Sequence, residues 1–219
     1  MHEETYIDPA AVKSFFRLLE SSDIDYVLIK NVGGELPNKL KKNKDIDILV
    51  KDRDEERFTS LMLSSGFEGI THPHSHRGGW CLAYGASDIA SFKNNDFLTV
   101  DVCSKLCLKS LMGNIWIPID KYINDRVWKN KIWDLSNGWW ALDDETLLVY
   151  LVSRCVFDKG AFNQSYVEEI ESRAELLHRD EVQEMLRMVF FRFKDKLIEM
   201  LADKLYDSIV ESYISFNSY

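Results

Sequence analysis

The residues best suited to chemistry are two aspartates one residue apart, Asp45 and Asp47, in the run Asp45-Ile46-Asp47-Ile48-Leu49-Val50. In an extended chain alternate side chains share a face and stand roughly 6.6–7 Å apart along the strand. Both carboxylates therefore point one way, while Ile46, Ile48 and Val50 point the other and can be buried. Two acids so placed at the lip of a sheet repel each other unless a cation lies between them. Mg²⁺ is the natural choice, because it prefers oxygen ligands and is shared between carboxylates and substrate phosphates; Mn²⁺ accepts the same donors. A third acid, Asp101, sits inside the apolar run Phe97-Leu98-Thr99-Val100-Asp101-Val102, where a carboxylate needs a partner. With its strand beside that of the pair, three carboxylates converge. Two Mg²⁺ ions about 3.5–4 Å apart can then be held for in-line phosphoryl or nucleotidyl displacement.

The elements that must position these acids are legible as patterns. A helix is expected at about residues 8–21, with Asp8 as N-cap, Pro9 in the first turn, and Val12, Phe15, Phe16 and Leu19 on one face. Tyr26-Val27-Leu28-Ile29 reads as a buried strand. The polar connection Asn31 to Lys44 follows, and Asp45 to Val50 is the next strand. A short helix from about Asp54 to Ser64 points Phe58, Leu61 and Met62 inward and ends near Gly66. Residues 67–103 are β-like, with Trp80 to Tyr84 and Phe97 to Val102 as the stronger strands. Residues 111–142, carrying Trp116, Trp128, Trp133, Trp139 and Trp140, read as an irregular connector whose tryptophans pack a domain junction. From Asp143 the pattern is helical. Leu147, Leu148, Leu151 and Cys155 form one stripe, and Val182, Met185, Leu186, Val189, Phe190, Phe193 and Leu197 form a longer one expected to be a single core-facing helix. The layout is α+β: an α/β domain at 1–110, the connector at 111–142 and a helical domain at 143–219.

Composition narrows the function. Among 219 residues, 27 Lys and Arg face 36 Asp and Glu, a net charge of −9, which argues against an extended nucleic-acid or anionic-membrane surface. No uncharged apolar run approaches the roughly 20 residues of a membrane span. The acidic start Met1-His2-Glu3-Glu4 lacks the apolar core of a signal peptide, so a cytoplasmic protein is expected. The four cysteines, Cys81, Cys103, Cys107 and Cys155, then read as reduced structural thiols. His72, His74 and His76 alternate as zinc ligands can, but Pro73 among them favours a polar loop. Arg173 and His178 read as surface charges on a helix. Within this acidic chain, Lys30, Lys39, Lys41, Lys42 and Lys44 are a local exception, five lysines in fifteen residues.

Val32-Gly33-Gly34, a gap of ten residues, Asp45-Ile46-Asp47-Ile48 and the distal strand acid Asp101 together resemble the nucleotidyltransferase superfamily with the DNA polymerase β-like catalytic fold. Tyr26-Val27-Leu28-Ile29-Lys30-Asn31, with Leu36-Pro37 before the acid pair, is similar to bacterial nucleotidyltransferase-like proteins of the surface-polysaccharide-associated type. The segment Leu147 to Phe162, including Asp158-Lys159-Gly160-Ala161-Phe162, also looks like that group. The resemblance spans about residues 10–165. It implies a mixed sheet flanked by helices, with Asp45 and Asp47 holding two Mg²⁺ ions and Asp101 completing the site of one. An acceptor hydroxyl, sugar-like in that group, would attack the α-phosphorus of a nucleoside triphosphate such as ATP. Gly33 and Gly34 would let the backbone approach the β- and γ-phosphates, and Lys30, Lys39, Lys41, Lys42 or Lys44 would neutralise them. A departure is Gly34, where the family commonly carries a serine whose hydroxyl bonds a phosphate. A second alignment puts Lys30-Asn31 in the phosphate-loop place. The same fold also serves phospho-alcohol transferases and non-catalytic nucleotide-binding or regulatory proteins.

Overall fold

Period-two alternation makes β2 (Asp45–Val50) a divider between two apolar cores. In the computed structural model, which describes residues 5–71, 89–109 and 116–217, Ile46, Ile48 and Val50 enter one core and Leu49 enters the other. β1 (Tyr26–Leu28) behaves the same way, with Tyr26 and Leu28 on the first side and Val27 on the second. The first core is closed by α1 (Pro9–Ser21) and α2 (Glu55–Ser64), which bury Phe15, Phe16, Phe58 and Met62. The Asp8 carboxylate caps α1 by accepting from the Ala10 amide at 2.8 Å.

The remaining strands are β3 (Glu68–Thr71), β4 (Ile89–Lys93), β5 (Thr99–Cys103), β8 (Ile132–Asp134) and β9 (Trp139–Ala141), and they complete a seven-stranded mixed sheet of order β3-β4-β5-β2-β1-β9-β8. β2 pairs with β5 in parallel and with β1 antiparallel. A separate hairpin joins β6 (Cys107–Lys109) to β7 (Trp116–Pro118). Against the second face pack α3 (Lys121–Asn130), α4 (Asp144–Arg154), α5 (Gln164–Glu171) and α6 (Asp180–Phe190), followed by α7 (Lys194–Ala202) and α8 (Tyr206–Ile214). No helix among the described residues is long and apolar enough to cross a membrane.

The structure departs from the sequence-based expectations in three places. The segment expected as an irregular connector holds β7, α3, β8 and β9, and β9 extends the main sheet by pairing with β1. Trp139 is fully buried there, its ring 4.6 Å from that of Phe16. Strands of three residues are too short to show a period, so the sequence read as irregular. The long C-terminal stripe is two helices, broken at Phe191, whose φ of +51° ends α6. The break leaves Phe191 exposed and lets Phe190 and Phe193 both close on Tyr213, at 5.7 and 5.3 Å. β5, expected from Phe97, starts at Thr99, because Phe97 sits in a turn at φ +66°. The expected strand Trp80 to Tyr84 and the alternating His72, His74 and His76 lie outside the described residues.

Asp25 ties the sheet's middle to its far edge. One carboxylate oxygen meets Lys131 Nζ at 2.6 Å, just before β8, and the other meets Lys51 Nζ at 3.3 Å, just after β2. Burial alone would raise its pKa, but hydrogen bonds and charge from Lys131 and Lys51 outweigh that and hold it below the usual value. A lowered folded-state pKa means that the stabilisation is present above about pH 4 and is lost as pH falls through the folded value. Asp25→Asn should therefore cost about 1–2 kcal/mol at pH 7, with the difference shrinking in urea titrations at pH 4 and below.

Candidate active site

The parallel register of β2 and β5 sets Asp47 directly beside Asp101 and Asp45 beside Thr99. All three acids take the strand face opposite the α1–α2 core. Further along that same face, Leu49 belongs to the helical core and Cys103 packs against it. One carboxylate oxygen from each of Asp45, Asp47 and Asp101 lies within 4.8 Å of the others. Asp45 is exposed, and Asp47 and Asp101 are half-buried.

Electrostatics show what such crowding costs. Burial and the neighbouring Asp45 charge push the Asp101 carboxyl up to about 6, against the opposing Ser91 hydroxyl bond and the Lys30 charge. Lys30 Nζ pairs with Asp47 Oδ2. The Lys30 ammonium is itself brought down to about 7, first by burial and then by the positive charges of Arg154 and Lys159, although Asp45 and Asp101 favour its charged form. The donors offered are carboxylate oxygens only, the set that suits Mg²⁺ or Mn²⁺.

Two hollows meet at the acids. The larger, about 380 Å³, is lined by Lys30, Asn31, Lys44, Asp45 and Asp47 together with Arg154, Lys159 and Ser165. The smaller, about 230 Å³, is lined by Asp45, Asp47, Asp101, Trp116 and Tyr150 together with Arg154, Asp158 and Lys159. Lys30, Asn31 and Lys44 thus gather beside the acids, whereas Lys39, Lys41 and Lys42 are not among the residues lining either hollow. Lys44 is paired with Glu35. The glycines stand slightly apart: Gly33 and Gly34 form a tight turn at φ +71° and +59°, and the Gly33 amide donates to Glu169 Oε1 at 3.1 Å. Asn31 braces the same turn, accepting from the Leu36 amide at 2.9 Å and donating to the Leu36 carbonyl at 3.3 Å. Lys30 and Asn31, and not Gly33 or Gly34, line the larger hollow beside the acids.

Tyr150, Arg154, Asp158 and Lys159 are among the lining residues that carried no expected role. These four sit on or just after α4, which passes from α-helix into a π-turn at Cys155–Lys159 and stops at Gly160, φ +62°. A charged pair inside an apolar helical stripe, Arg154 and Asp158 around buried Cys155 and Val156, was the available signal.

No protein-family model matches this sequence, and no curated protein matches it. Among solved structures, the antibiotic-resistance factor ANT(2'')-Ia, determined in solution and described as having substrate-regulated conformation dynamics, is similar with a TM-score of 0.51. The match covers 90% of this chain and 97% of that one at 8% identity. The architecture is nucleotidyltransferase-like. An antigenic nucleotidyltransferase-like protein from Paracoccidioides brasiliensis gives a TM-score of 0.46 at 14% identity, covering 95% of this chain and 96% of that one. At 8% identity the likeness to the first is one of fold alone.

The Asp101 shift has a defined sign. Its folded-state pKa lies above the unfolded value near 3.8, so the native state holds the extra proton, and stability falls as pH rises from about 4 through 6. In EDTA, Asp101→Asn should be more stable than wild type at pH 7, by no more than about 3 kcal/mol, with the gap closing toward pH 4. Millimolar Mg²⁺ should reverse the order by stabilising wild type selectively, as read by denaturant titration.

Proposed function

We propose that the protein is a metal-dependent nucleotidyltransferase that moves a nucleotidyl group from a nucleoside triphosphate to a hydroxyl of a small, sugar-like acceptor. One observation carries this reading: three carboxylates in register on neighbouring strands stand between a lysine-lined cleft and a small separate cavity. The larger hollow has the cations for a triphosphate. The smaller, with Asp101 in its wall and Trp116 offering an aromatic face, has room for one ring-sized hydroxylated group. Surface-polysaccharide chemistry supplies acceptors of that kind, and the cytoplasm supplies the nucleotide and Mg²⁺.

In this reading Asp45 and Asp47 hold two Mg²⁺ ions and Asp101 contributes to one of them. Ions so held neutralise phosphate charge and make the acceptor hydroxyl more acidic. Lys30, Asn31 and Lys44 bind the β- and γ-phosphates, and the Gly33-Gly34 turn sets the position of Asn31. The acceptor oxygen attacks the α-phosphorus, a new P–O bond forms, and the bond to the bridging oxygen of the β-phosphate breaks. Pyrophosphate leaves on the lysine side, and the hydroxyl proton passes to a carboxylate oxygen of Asp101. With the metal and triphosphate bound, Lys30 would part from Asp47 and meet a phosphate instead.

The Lys30–Asp47 pair also supports a second reading. If it persists when nucleotide binds, it takes one ligand from the ions and leaves a nucleotide-binding protein without turnover. The deciding experiment supplies each α-labelled nucleoside triphosphate with Mg²⁺ and a panel of sugars and sugar phosphates. Label transfer by wild type, reduced about 100-fold or more in Asp47→Ala and in Asp45→Asn, is expected. Equal transfer by wild type and Asp47→Ala would remove the acids from the reaction, and Mg²⁺-dependent thermal stabilisation by nucleotide with no transfer would establish the binding protein.

A further inference from the structure

The linings of the two hollows overlap at four residues: Asp45, Asp47, Arg154 and Lys159. A group that passes from a nucleotide in one hollow to an acceptor in the other crosses at those four. Two of them are the acids. The other two are cations from the helical half, and neither follows from the acid motif.

Arg154 is 8% exposed, an environment that a guanidinium enters only with partners. Its Nη2 meets Asp158 Oδ2 at 2.7 Å and its Nη1 meets the Tyr150 hydroxyl at 3.3 Å. Its Nε is buried and has no hydrogen-bond partner among the described residues. A buried donor left without a partner is unfavourable, and this one stands at the wall shared by both hollows. Lys159 is exposed on the next turn and pairs with no carboxylate among the described residues. The two share the site because the helix widens there: in a π-turn the bonds run i to i+5, which brings residues five apart onto one face, whereas an ordinary α-helix would carry Lys159 away. Such turns concentrate at functional sites.

The local charges point the same way. Lys30, Arg154 and Lys159 line the same hollow. Among the described residues Lys30, Lys44 and Arg154 each pair with a carboxylate, so Lys159 and the Arg154 Nε are the cationic donors still open to an added anion.

We infer that Arg154 and Lys159 form the anion subsite that holds the α-phosphoryl group while it is transferred. This rests on the nucleotidyltransferase reading and adds to it the residues that grip the moving group, as distinct from Lys30 and Lys44, which grip the departing pyrophosphate. A guanidinium donor that meets a phosphoryl oxygen developing charge in a dry site is worth more there than in water.

The test separates α-phosphate from β,γ-phosphate binding. Full-length wild type and variants are titrated calorimetrically, with Mg²⁺, against an α,β-methylene nucleoside triphosphate and against inorganic pyrophosphate. Lys159→Ala should weaken the analogue about 10-fold, leave pyrophosphate unchanged and be rescued by Lys159→Arg, whereas Lys44→Ala should weaken both ligands. Arg154→Lys should behave like Lys159→Ala. Unligated melting curves check that each variant folds, and the exposed Lys159 carries the test alone if the buried position does not tolerate change. Analogue binding by Lys159→Ala equal to wild type, or equal losses for both ligands, would overturn the assignment. Failure of wild type to bind either ligand with Mg²⁺ would instead remove the nucleotidyltransferase reading beneath it.

Discussion

The rest of the structure depends on the repulsion among three carboxylates fixed on one sheet face. Nothing in a β-sheet favours Asp47 beside Asp101; like charges opposite one another on neighbouring strands are unfavourable. The register is set from the other face, where Ile46, Ile48 and Val100 are buried against α1 and α2. A slip of one residue would bury the acids and expose the aliphatics. The apolar side of β2 thus supplies the free energy that holds its charged side together, and the cost appears at Asp101, whose carboxyl burial and the Asp45 charge push up to about 6.

That division explains why so much of the site could be read from the sequence. Asp45 to Ile48 alternates and runs on into apolar Leu49 and Val50, so both its element and its facing followed from period two, and an acid within the apolar run around Asp101 required a partner wherever it lay. The observed β2 covers that whole run, Asp45–Val50. What could not be read is what depends on contact between distant segments. β8 and β9 are three residues each and exist as strands because β1 offers an edge, not because of local preference. The stripe from Val182 to Leu197 keeps helical spacing across Phe191, so its period gives no sign that the chain breaks there, whereas the packing of Phe190 and Phe193 around Tyr213 requires the break.

Arg154 shows the same limit at the site itself. In the sequence it stands in a helical run among Leu151, Val152, Cys155 and Val156, where spacing alone assigns a core helix. Only the packing of α4 across the sheet shows that this core helix ends over the acids, and only the π-turn shows that Lys159 shares its face. A local departure from α-helical bonding is set by a balance of packing at both ends of the turn, here buried Cys155 and Val156 within and Gly160 at the stop, and no residue type announces it.

The helical half is therefore more than a support for the sheet. The sheet alone presents three acids and Lys30, which can hold cations but would leave a phosphoryl group, under the proposed function, open to water on one side. α4 and its π-turn close that side with a guanidinium and an ammonium, and the two hollows become distinct because these residues stand between them. The same helix buries Leu148, Leu151 and Val152 in the core shared with Val27 and Leu49 of the central strands. The position of Arg154 relative to Asp47 is thus fixed through one continuous apolar contact. Rigid placement of opposite charges across a cleft is what lets each keep a charge that burial opposes, and it requires both halves of the chain to fold as one body around the acids.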